Sequence, residues 1–229
     1  MRKYKLIKTK RKTITIKIKE DASLEVRAPL NMHGEKIDNF VKSKERWIAK
    51  HIGKIEENYK LKKQFELNFG DFVQLRGKQV AIQPTKGNIG SHNKEKNMFL
   101  IPEIANSNEI KDMTIKLYKL IAREYIRKRV QCFAHKMNVN PSAIRITSAK
   151  TRWGSCSGKN SVNFSWKLIM ADNEVIDYVI VHELAHIKQH NHSSKFWKIV
   201  ETIIPDYMEK KEKLKLLGKK LNKEDWSKQ

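Results

Sequence analysis

Two stretches near the start of the chain alternate between polar and apolar residues. Residues 13–19 read Thr-Ile-Thr-Ile-Lys-Ile-Lys, and residues 24–28 read Leu-Glu-Val-Arg-Ala before Pro29. Strict alternation is typical of a β-strand with one buried face. Because the polar residues 20–23 form a turn sequence between the two stretches, we predict a β-hairpin.

The apolar spacing then changes to that of a helix. From Glu35 to about Leu61 apolar residues recur every three or four positions, which predicts one continuous helix. A second β segment follows it, with strands predicted at residues 69–75, 80–82 and 98–101. Residues 84–97 are rich in Gly, Asn, Ser and Lys and are expected to form a loop.

Helices alternate with short strands in the second half of the chain. The apolar pattern predicts helices at about 109–137, 173–187, 196–204 and 209–221, and strands at 144–146 and 161–168. The whole pattern predicts an α+β fold. We divide it into residues 1–105, a β-rich region with one helix, and residues 106–229, a domain that carries the candidate chemistry described next.

The helix at 173–187 contains the sequence His-Glu-Leu-Ala-His. It is apolar on nearly every face and is therefore predicted to be buried. His182 and His186 are one turn apart and diverge by only about 40° around the axis, so both imidazoles can reach one metal ion. Glu183 points beside that ion, where it can take a proton from a water molecule. The alternative is a pair of core histidines without a metal, which is disfavoured because buried polar groups need partners.

Three residues are candidates for a third ligand: His190, His192 and Glu201. His190 is disfavoured because it would stand about 12 Å from His182 along a continuous helix. Asn191 is expected to end the helix in a left-handed conformation, which would let the next residue turn back towards the ion. We therefore prefer His192 over Glu201, and expect His190 beside the metal and not on it.

The chain is strongly basic. It has 48 Lys and Arg against 25 Asp and Glu, a formal net charge of +23. Such a charge attracts nucleic acid, nucleotides or acidic surfaces, so nucleic acid is a candidate partner. The lysines are spread through the whole chain, however, which is also typical of an ordinary solvated surface.

The two cysteines, Cys132 and Cys156, are not part of a Cys-x-x-Cys pair. This argues against a disulfide framework and against a cysteine zinc site, and it fits a reducing compartment. No apolar segment follows the basic N-terminus, as a secretory signal would require. No apolar stretch approaches the roughly 20 residues of a membrane span. We therefore expect a soluble, cytoplasmic protein with no membrane partner.

The stretch 149–157, Ala-Lys-Thr-Arg-Trp-Gly-Ser-Cys-Ser, is the second candidate for site chemistry. Its small residues and Gly154 predict a tight loop whose backbone approaches another group closely. Arg152 offers a charged fork and Trp153 a flat apolar wall, a combination suited to holding substrate. An ordinary turn with a core tryptophan and a surface arginine fits the same residues. A nucleophilic role for Cys156 is disfavoured relative to a buried or adjacent thiol.

Carboxylates often orient metal-binding histidines by accepting a hydrogen bond from the outer ring nitrogen. The candidates for this orienting role are Asp177, Glu201 and Asp206. Each of them fits the pattern of an ordinary surface carboxylate equally well.

Three groups of residues together resemble the YgjP-like metallopeptidase family, which is related to the SprT and WLM zinc proteases. They are Arg152–Ser157, Val179–His186, and Asn191–Ser193 with Phe196-Trp197. The N-terminal hairpin and the helix containing Trp47-Ile48 are also similar, so the resemblance covers nearly the whole chain.

The resemblance implies a minimal zincin, a mixed sheet plus an active-site helix, with the N-terminal hairpin-rich region packed on it. It implies zinc as the cofactor, His182, His186 and His192 as ligands, and Glu183 as general base. It also implies that the loop holding Arg152, Trp153 and Ser155 forms a wall of the substrate site. In many zincins the strand before the active-site helix is a sheet edge that binds peptide, and residues 161–168 are expected to play that part.

Hydrolysis of a peptide or protein is the function that these features favour. An alternative is a metal-dependent nucleoside triphosphate (UTP) pyrophosphatase, since relatives are described as such and Lys150 and Arg152 could hold phosphates. A nucleic-acid-binding module with a structural zinc is disfavoured, because structural sites usually close with four ligands and often use Cys. The stabiliser of the developing oxyanion is left open among Arg152, His190 and Tyr207.

Overall fold

A computed structural model describes residues 3–19 and 21–227 of the chain. The fold is α+β, as predicted, with three mixed sheets and six α-helices among the described residues. Contacts divide it into two compact units, Met1–Phe65 with Asn222–Asp225 and Glu66–Leu221 with Trp226–Gln229. The predicted boundary between two domains, at residues 105/106, remains a prediction.

The first unit contains one sheet and two helices. Its elements are β1 (Lys5–Thr9), β2 (Thr15–Ile18), β3 (Leu24–Pro29), α1 (Gly34–Ser43) and α2 (Glu45–Gln64). β2 and β3 pair antiparallel, which confirms the predicted hairpin, although Glu20 of its predicted turn lies outside the described residues. β1 was not predicted, and it pairs parallel to β3 on the other side, giving the order β1-β3-β2.

The predicted single helix over residues 35–61 is two helices. Lys44 separates them with φ −100° and ψ 7°, outside the helical region, so the chain changes direction there. Apolar residues of both helices and of β3 form the core of this unit: Leu24, Val26, Ala28, Ile37, Val41, Ile48 and Ile52. The apolar spacing is helical on both sides of Lys44, which explains why it predicted no break.

The second unit begins with a four-stranded sheet in the order β4-β5-β7-β6. Its strands are β4 (Phe72–Leu75), β5 (Lys78–Thr85), β6 (Ser91–Asn93) and β7 (Met98–Pro102). β6 lies within the predicted loop at 84–97 and forms an edge of the sheet beside β7. Three polar residues give no apolar alternation by which β6 could be predicted.

The remainder of this unit carries the histidine-rich helix. Its elements are α3 (Ser107–Lys136), β8 (Ala143–Thr147), β9 (Gly154–Cys156), β10 (Ser161–Ser165), a 3-10 helix (Trp166–Met170), α4 (Asn173–Lys188), α5 (Ser194–Ile203) and α6 (Tyr207–Leu221). Asn106 and Glu109 close the N-terminus of α3 with a reciprocal capping box. α3, α4, α5 and α6 confirm the helices predicted at 109–137, 173–187, 196–204 and 209–221, with ends that differ by a few residues.

β10 is the central strand of the third sheet, which has the order β8-β10-β9. It pairs parallel with β8 and antiparallel with β9, so both of its edges are occupied. The expectation that residues 161–168 form a sheet edge is therefore wrong. The edge beside α4 is β9, which lies in the stretch predicted as a tight loop.

The turn between β4 and β5 holds the start of α4. The amide of Arg76 donates to the carbonyl of Ile169 at 2.8 Å, and its guanidinium donates to Asn173 Oδ1 at 2.8 Å. Gly77 has a φ of +77°, and a Cβ there would lie 1.8 Å from Asp172 Oδ1. Only glycine fits this turn against the helix start, so the turn and α4 are fixed to each other.

A search of the described residues for a helix both long enough and apolar enough to cross a bilayer finds none.

Candidate metal centre

α4 carries the candidate chemistry on a largely buried helix. Its apolar residues Val175, Ile176, Val179, Ile180, Val181 and Leu184 are all at most 3 % exposed. Glu183 is also buried, at 6 %, whereas His182 and His186 are half-buried. The apolar faces thus fix the helix in the core, and one side of it presents both histidines.

The structure brings three histidine side chains together. The ring centroids of His182 and His186 lie 5.1 Å apart, and that of His192 lies 5.0 Å from the first and 4.7 Å from the second. One nitrogen from each ring falls within 4.8 Å of the others. Among the described residues, this is the one set of His, Cys, Asp or Glu side chains grouped closely enough to hold a metal ion.

The spacing of two of these nitrogens suits a tetrahedral metal ion. Nε2 of His182 and Nε2 of His192 are 3.1 Å apart. Two nitrogens at about 2.0–2.1 Å from a tetrahedral zinc stand roughly 3.3–3.4 Å from each other. Burial lowers the pKa of His182 to about 3, with the neighbouring histidines adding to the effect, and burial also lowers the pKa of His186. Neutral imidazoles are the form that binds metal.

Within the described part of the chain, no carboxylate contacts the outer ring nitrogens of His182 and His186. Nδ1 of His186 lies 3.2 Å from the carbonyl oxygen of Gln189, and the buried Nδ1 of His182 has no partner among the described residues. The three predicted carboxylates pair with cations instead: Asp177 with Arg129 at 2.6 Å, Glu201 with Lys198 at 3.8 Å, and Asp206 with Lys210 at 2.7 Å. All three are therefore ordinary ion-paired carboxylates, the other interpretation that their sequence positions allowed.

α4 ends before Asn191, the residue predicted to terminate it. Its last residue is Lys188, and Gln189 is extended, with φ −143° and ψ 101°. Asn191 does not take a left-handed conformation, so its predicted role as terminator is wrong. Its side chain instead accepts hydrogen bonds from Gln189 Nε2 at 2.7 Å and from the Ser193 amide at 3.3 Å. These bonds shape the segment that returns His192 to the helix.

Phe196, on α5, lies directly against all three histidines. Its ring centroid is 4.9 Å from that of His182, 4.6 Å from that of His186 and 4.8 Å from that of His192. The side chain is fully buried. It therefore forms an apolar support that limits how the three imidazoles can rotate.

A second aromatic group flanks His182. Trp197 stacks on Tyr207 with centroids 5.2 Å apart, and Tyr207 stacks on Tyr178 at 6.4 Å. Tyr178 then meets the ring of His182 edge-on at 6.0 Å. The apolar pattern does not predict this stack, because its members come from three different helices.

Gly154 of β9 approaches Glu183 closely. A Cβ at Gly154 would lie 2.6 Å from both Cγ and Oε1 of the glutamate. This confirms the prediction that the loop backbone comes close to another group. Gly154, Ser155, Cys156 and Glu183 line a cavity of about 350 Å³ together with His182, His186, His190 and His192. The glutamate is thus held between the strand edge and the histidines.

Burial governs the charge of Glu183. It raises the pKa of this carboxyl to about 7, and the positive charge of Arg152 acts in the opposite direction. Burial also raises the pKa of the Cys156 thiol, and Glu183 raises it further. A thiol that resists ionisation is a poor nucleophile, which agrees with the expectation that Cys156 is not the nucleophile.

The loop residues predicted to contact substrate are placed differently from one another. Ser155 lines the cavity, whereas Arg152 and Trp153 are not among its lining residues. Trp153 lies against α6, where a Cβ at Gly218 would be 3.7 Å from its ring. His190 lines the cavity beside the three grouped histidines, as expected, and does not belong to their group.

Replacing Gly154 with alanine is expected to lower activity by about 10²-fold, because displacing a catalytic group by roughly 1 Å has an effect of that size. The metal content should not change, because the three atoms nearest to the new methyl group all belong to Glu183. Gly158→Ala is the matched control in the same region, because a Cβ there meets nothing within 4 Å. Turnover and bound zinc measured on both variants test this; equal activity in the two would contradict it.

An α+β fold with a buried His-Glu-x-x-His helix and a third histidine beyond it defines a zinc metallopeptidase-like hydrolase. The family model described as "YgjP-like, metallopeptidase domain" matches residues 12–216. The chain therefore belongs to the YgjP-like metallopeptidase family. The comparison with curated proteins finds no match.

Two solved structures are similar to part of the chain, and both are metallopeptidase zymogens. Abylysin from Pyrococcus abyssi is 23 % identical, with a TM-score of 0.37, over 39 % of this chain and 90 % of its own. Jannalysin from Methanocaldococcus jannaschii is 30 % identical, with a TM-score of 0.35, over 40 % of this chain and 96 % of its own.

Proposed function

We propose that the chain is a zinc-dependent peptidase in which His182, His186 and His192 hold the metal and Glu183 is the general base. One observation carries this proposal: the three imidazoles converge on a cavity that the buried Glu183 also lines. Among the described residues no fourth His, Cys, Asp or Glu joins the group, which leaves a position for water or substrate.

Different residues of the protein have different roles in the proposed hydrolysis. Zinc, when bound, lowers the pKa of water to about 7 and polarises the scissile carbonyl. Glu183 takes the proton of the attacking water and returns it to the leaving amine. Gly154 keeps the glutamate carboxylate in position by its close approach. His186 is oriented through the carbonyl of Gln189.

A peptide or protein is the substrate that the sheet edge favours. β9 is an edge strand, and its residues Gly154, Ser155 and Cys156 line the cavity. An extended peptide can add to such an edge through main-chain hydrogen bonds. Ser155 is then placed to contact it. Arg152 and Trp153 do not line the cavity, so their proposed role as substrate contacts rests on the family resemblance alone.

His190 is the best placed of the three candidate oxyanion stabilisers. It lines the cavity, whereas Tyr207 is stacked between Tyr178 and Trp197. Arg152 acts on Glu183 through its charge but does not line the cavity. We therefore assign His190 the role of donating to the developing oxyanion.

The substrate class is tested by offering zinc-loaded protein casein, a peptide library and UTP side by side. We expect cleavage of peptide bonds that a chelator abolishes and added zinc restores. Hydrolysis of UTP without peptide cleavage would contradict the proposal in favour of a pyrophosphatase. Loss of the fold on zinc removal, with no turnover of any substrate, would instead identify a structural zinc.

The assignment of the third ligand is tested by His192→Ala. Removing one of three ligands is expected to lower the zinc bound after dialysis from about one equivalent to near zero, and to abolish activity. Glu201→Ala is the matched control, because Glu201 is the alternative ligand and contacts Lys198 instead. Zinc is measured by atomic emission on both variants. Zinc retained in His192→Ala, or lost in Glu201→Ala, would overturn the assignment.

A further inference from the structure

The N-terminal sheet carries an unusual concentration of positive charge. Residues 3–19 contain eight Lys and Arg and no Asp or Glu. They include the whole of β1 and β2, the two strands that flank β3. The lysines that the sequence shows as spread through the chain are thus locally concentrated on one structural element.

Strand register places several of these cations on the face of the sheet opposite the core. Val26 of β3 is in the core, so its neighbours Glu25 and Arg27 point to the other side. Glu25 pairs with Lys5 on one side and Lys17 on the other, and Arg27 pairs with Ile7 and Thr15. We call these six residues the outer face: Lys5, Ile7, Thr15, Lys17, Glu25 and Arg27.

The single acid of the outer face is already neutralised. Glu25 is 6 % exposed, accepts a hydrogen bond from Arg27 Nε at 2.8 Å and lies 3.7 Å from Lys19 Nζ. The hydrogen bond from Arg27, with the charges of Arg27 and nearby lysines, holds the pKa of Glu25 below its usual range. The remaining cations are therefore in excess of the one carboxylate available to them.

Arg11 adds a further cation to this surface. Its Nη2 donates to Oγ1 of Thr15, and its Nε has no hydrogen-bond partner among the described residues. Within residues 3–19 and 21–227, Lys5, Arg11 and Lys17 form no ion pair within 4.0 Å. Lys5 and Lys17 are exposed, so their charges are available to an external anion.

We propose that the outer face, with Arg11 and Lys19, binds the phosphate backbone of nucleic acid independently of base sequence. Lys, Arg and Thr side chains are the usual phosphate contacts. Lys5 and Lys17 lie on either side of Glu25 in adjacent strands, about 9–10 Å apart. No aromatic side chain belongs to the outer face, so it has nothing on which bases could stack. The proposal is independent of the metal centre and of the peptidase activity.

The composition of the outer face disfavours the other polyanions. Peripheral membrane binding uses exposed Trp, Phe or Leu alongside the cations, and the one apolar residue here, Ile7, is half-buried. Interfaces with acidic proteins have an apolar, aromatic-rich centre, which a face of lysine, arginine and threonine lacks.

The test measures binding of the full chain to a labelled DNA duplex of random sequence by fluorescence anisotropy. The variant Lys5→Gln/Arg11→Gln/Lys17→Gln is compared with Lys36→Gln/Lys50→Gln/Lys54→Gln. The control removes the same charge from exposed positions on α1 and α2 of the same unit. Affinity is measured from about 50 to about 200 mM salt, since each phosphate contact adds roughly 0.9 to the slope of log K against log salt.

We expect the outer-face variant to lose most of its affinity and to have a salt slope shallower by about 2.7 than wild type, with little change in the control. Equal losses in the two variants would overturn the proposal, as would absence of duplex binding by the wild-type chain. Equally tight, equally variant-sensitive binding to phosphatidylserine vesicles or to polyglutamate would also overturn it. If the triple variant does not fold, Lys5→Gln and Lys17→Gln are each expected to lower the slope by about 0.9 relative to Lys50→Gln.

Discussion

Glu183→Gln is expected to lower kcat for peptide cleavage by about 10²–10⁴-fold, the usual contribution of a general acid–base group. Glutamine has nearly the same shape as glutamate, so it fits against Gly154 as the native side chain does. It cannot accept a proton, which is the property that the proposed mechanism requires. The measurement is kcat and KM on the best substrate, with bound zinc determined on the same sample.

Glu201→Gln is the control for this variant. Glu201 is an exposed glutamate of α5 that contacts Lys198, so its replacement should leave kcat unchanged. Zinc should stay bound in both variants, because neither side chain is one of the three grouped donors. A Glu183→Gln protein that retains zinc and full peptidase activity would show that another group moves the proton.

Phe196→Ala is expected to lower the free energy of unfolding by about 3–5 kcal/mol, as is usual for a buried phenylalanine. It is also expected to weaken zinc binding by about 10–100-fold, the size of effect seen when groups that orient metal ligands are removed. The reason is geometric, since the ring lies within 4.9 Å of the centroids of all three imidazoles. Zinc affinity is measured by competition with a chromophoric chelator.

Phe99→Ala separates the two effects. Phe99 is equally buried but lies in β7 of the four-stranded sheet, where its ring contacts His92 and Tyr118. The Phe99→Ala variant should lose a similar free energy of unfolding, whereas its zinc affinity should be unchanged. If the alanine variants do not fold, the comparison is repeated with Phe196→Leu and Phe99→Leu. Equal zinc affinity in the two members of either pair would show that Phe196 supports the fold alone.

The elements that the sequence predicted well are those with a long or regular apolar pattern. α3, α4 and the β2–β3 hairpin each present one buried side repeatedly, so periodicity alone locates them. β1 and β6 are short and contain no buried residue, and their strand character depends on pairing with other strands. The break at Lys44 does not interrupt the apolar spacing and therefore gives no signal.

Some features of the candidate site also follow from local structure, whereas others depend on tertiary contacts. Helix geometry brings His182 and His186 together, an inference that needs only local structure. The distance that disfavours His190 assumes a helix continuing to that residue, whereas α4 ends at Lys188. The partners of Asp177, Glu201 and Asp206 depend on which cations pack nearby, which the sequence does not specify. The contacts of Phe196 and the approach of Gly154 to Glu183 join separate elements and become evident only in three dimensions.

The burial of α4 affects how a bound metal ion can be exchanged. Its apolar side chains are buried in the core, and two of the three grouped histidines lie on this helix. The third is carried by the short exposed segment between α4 and α5. Stripping the zinc should therefore leave a folded apoprotein that reloads reversibly, with the 189–193 segment setting how fast the ion enters and leaves.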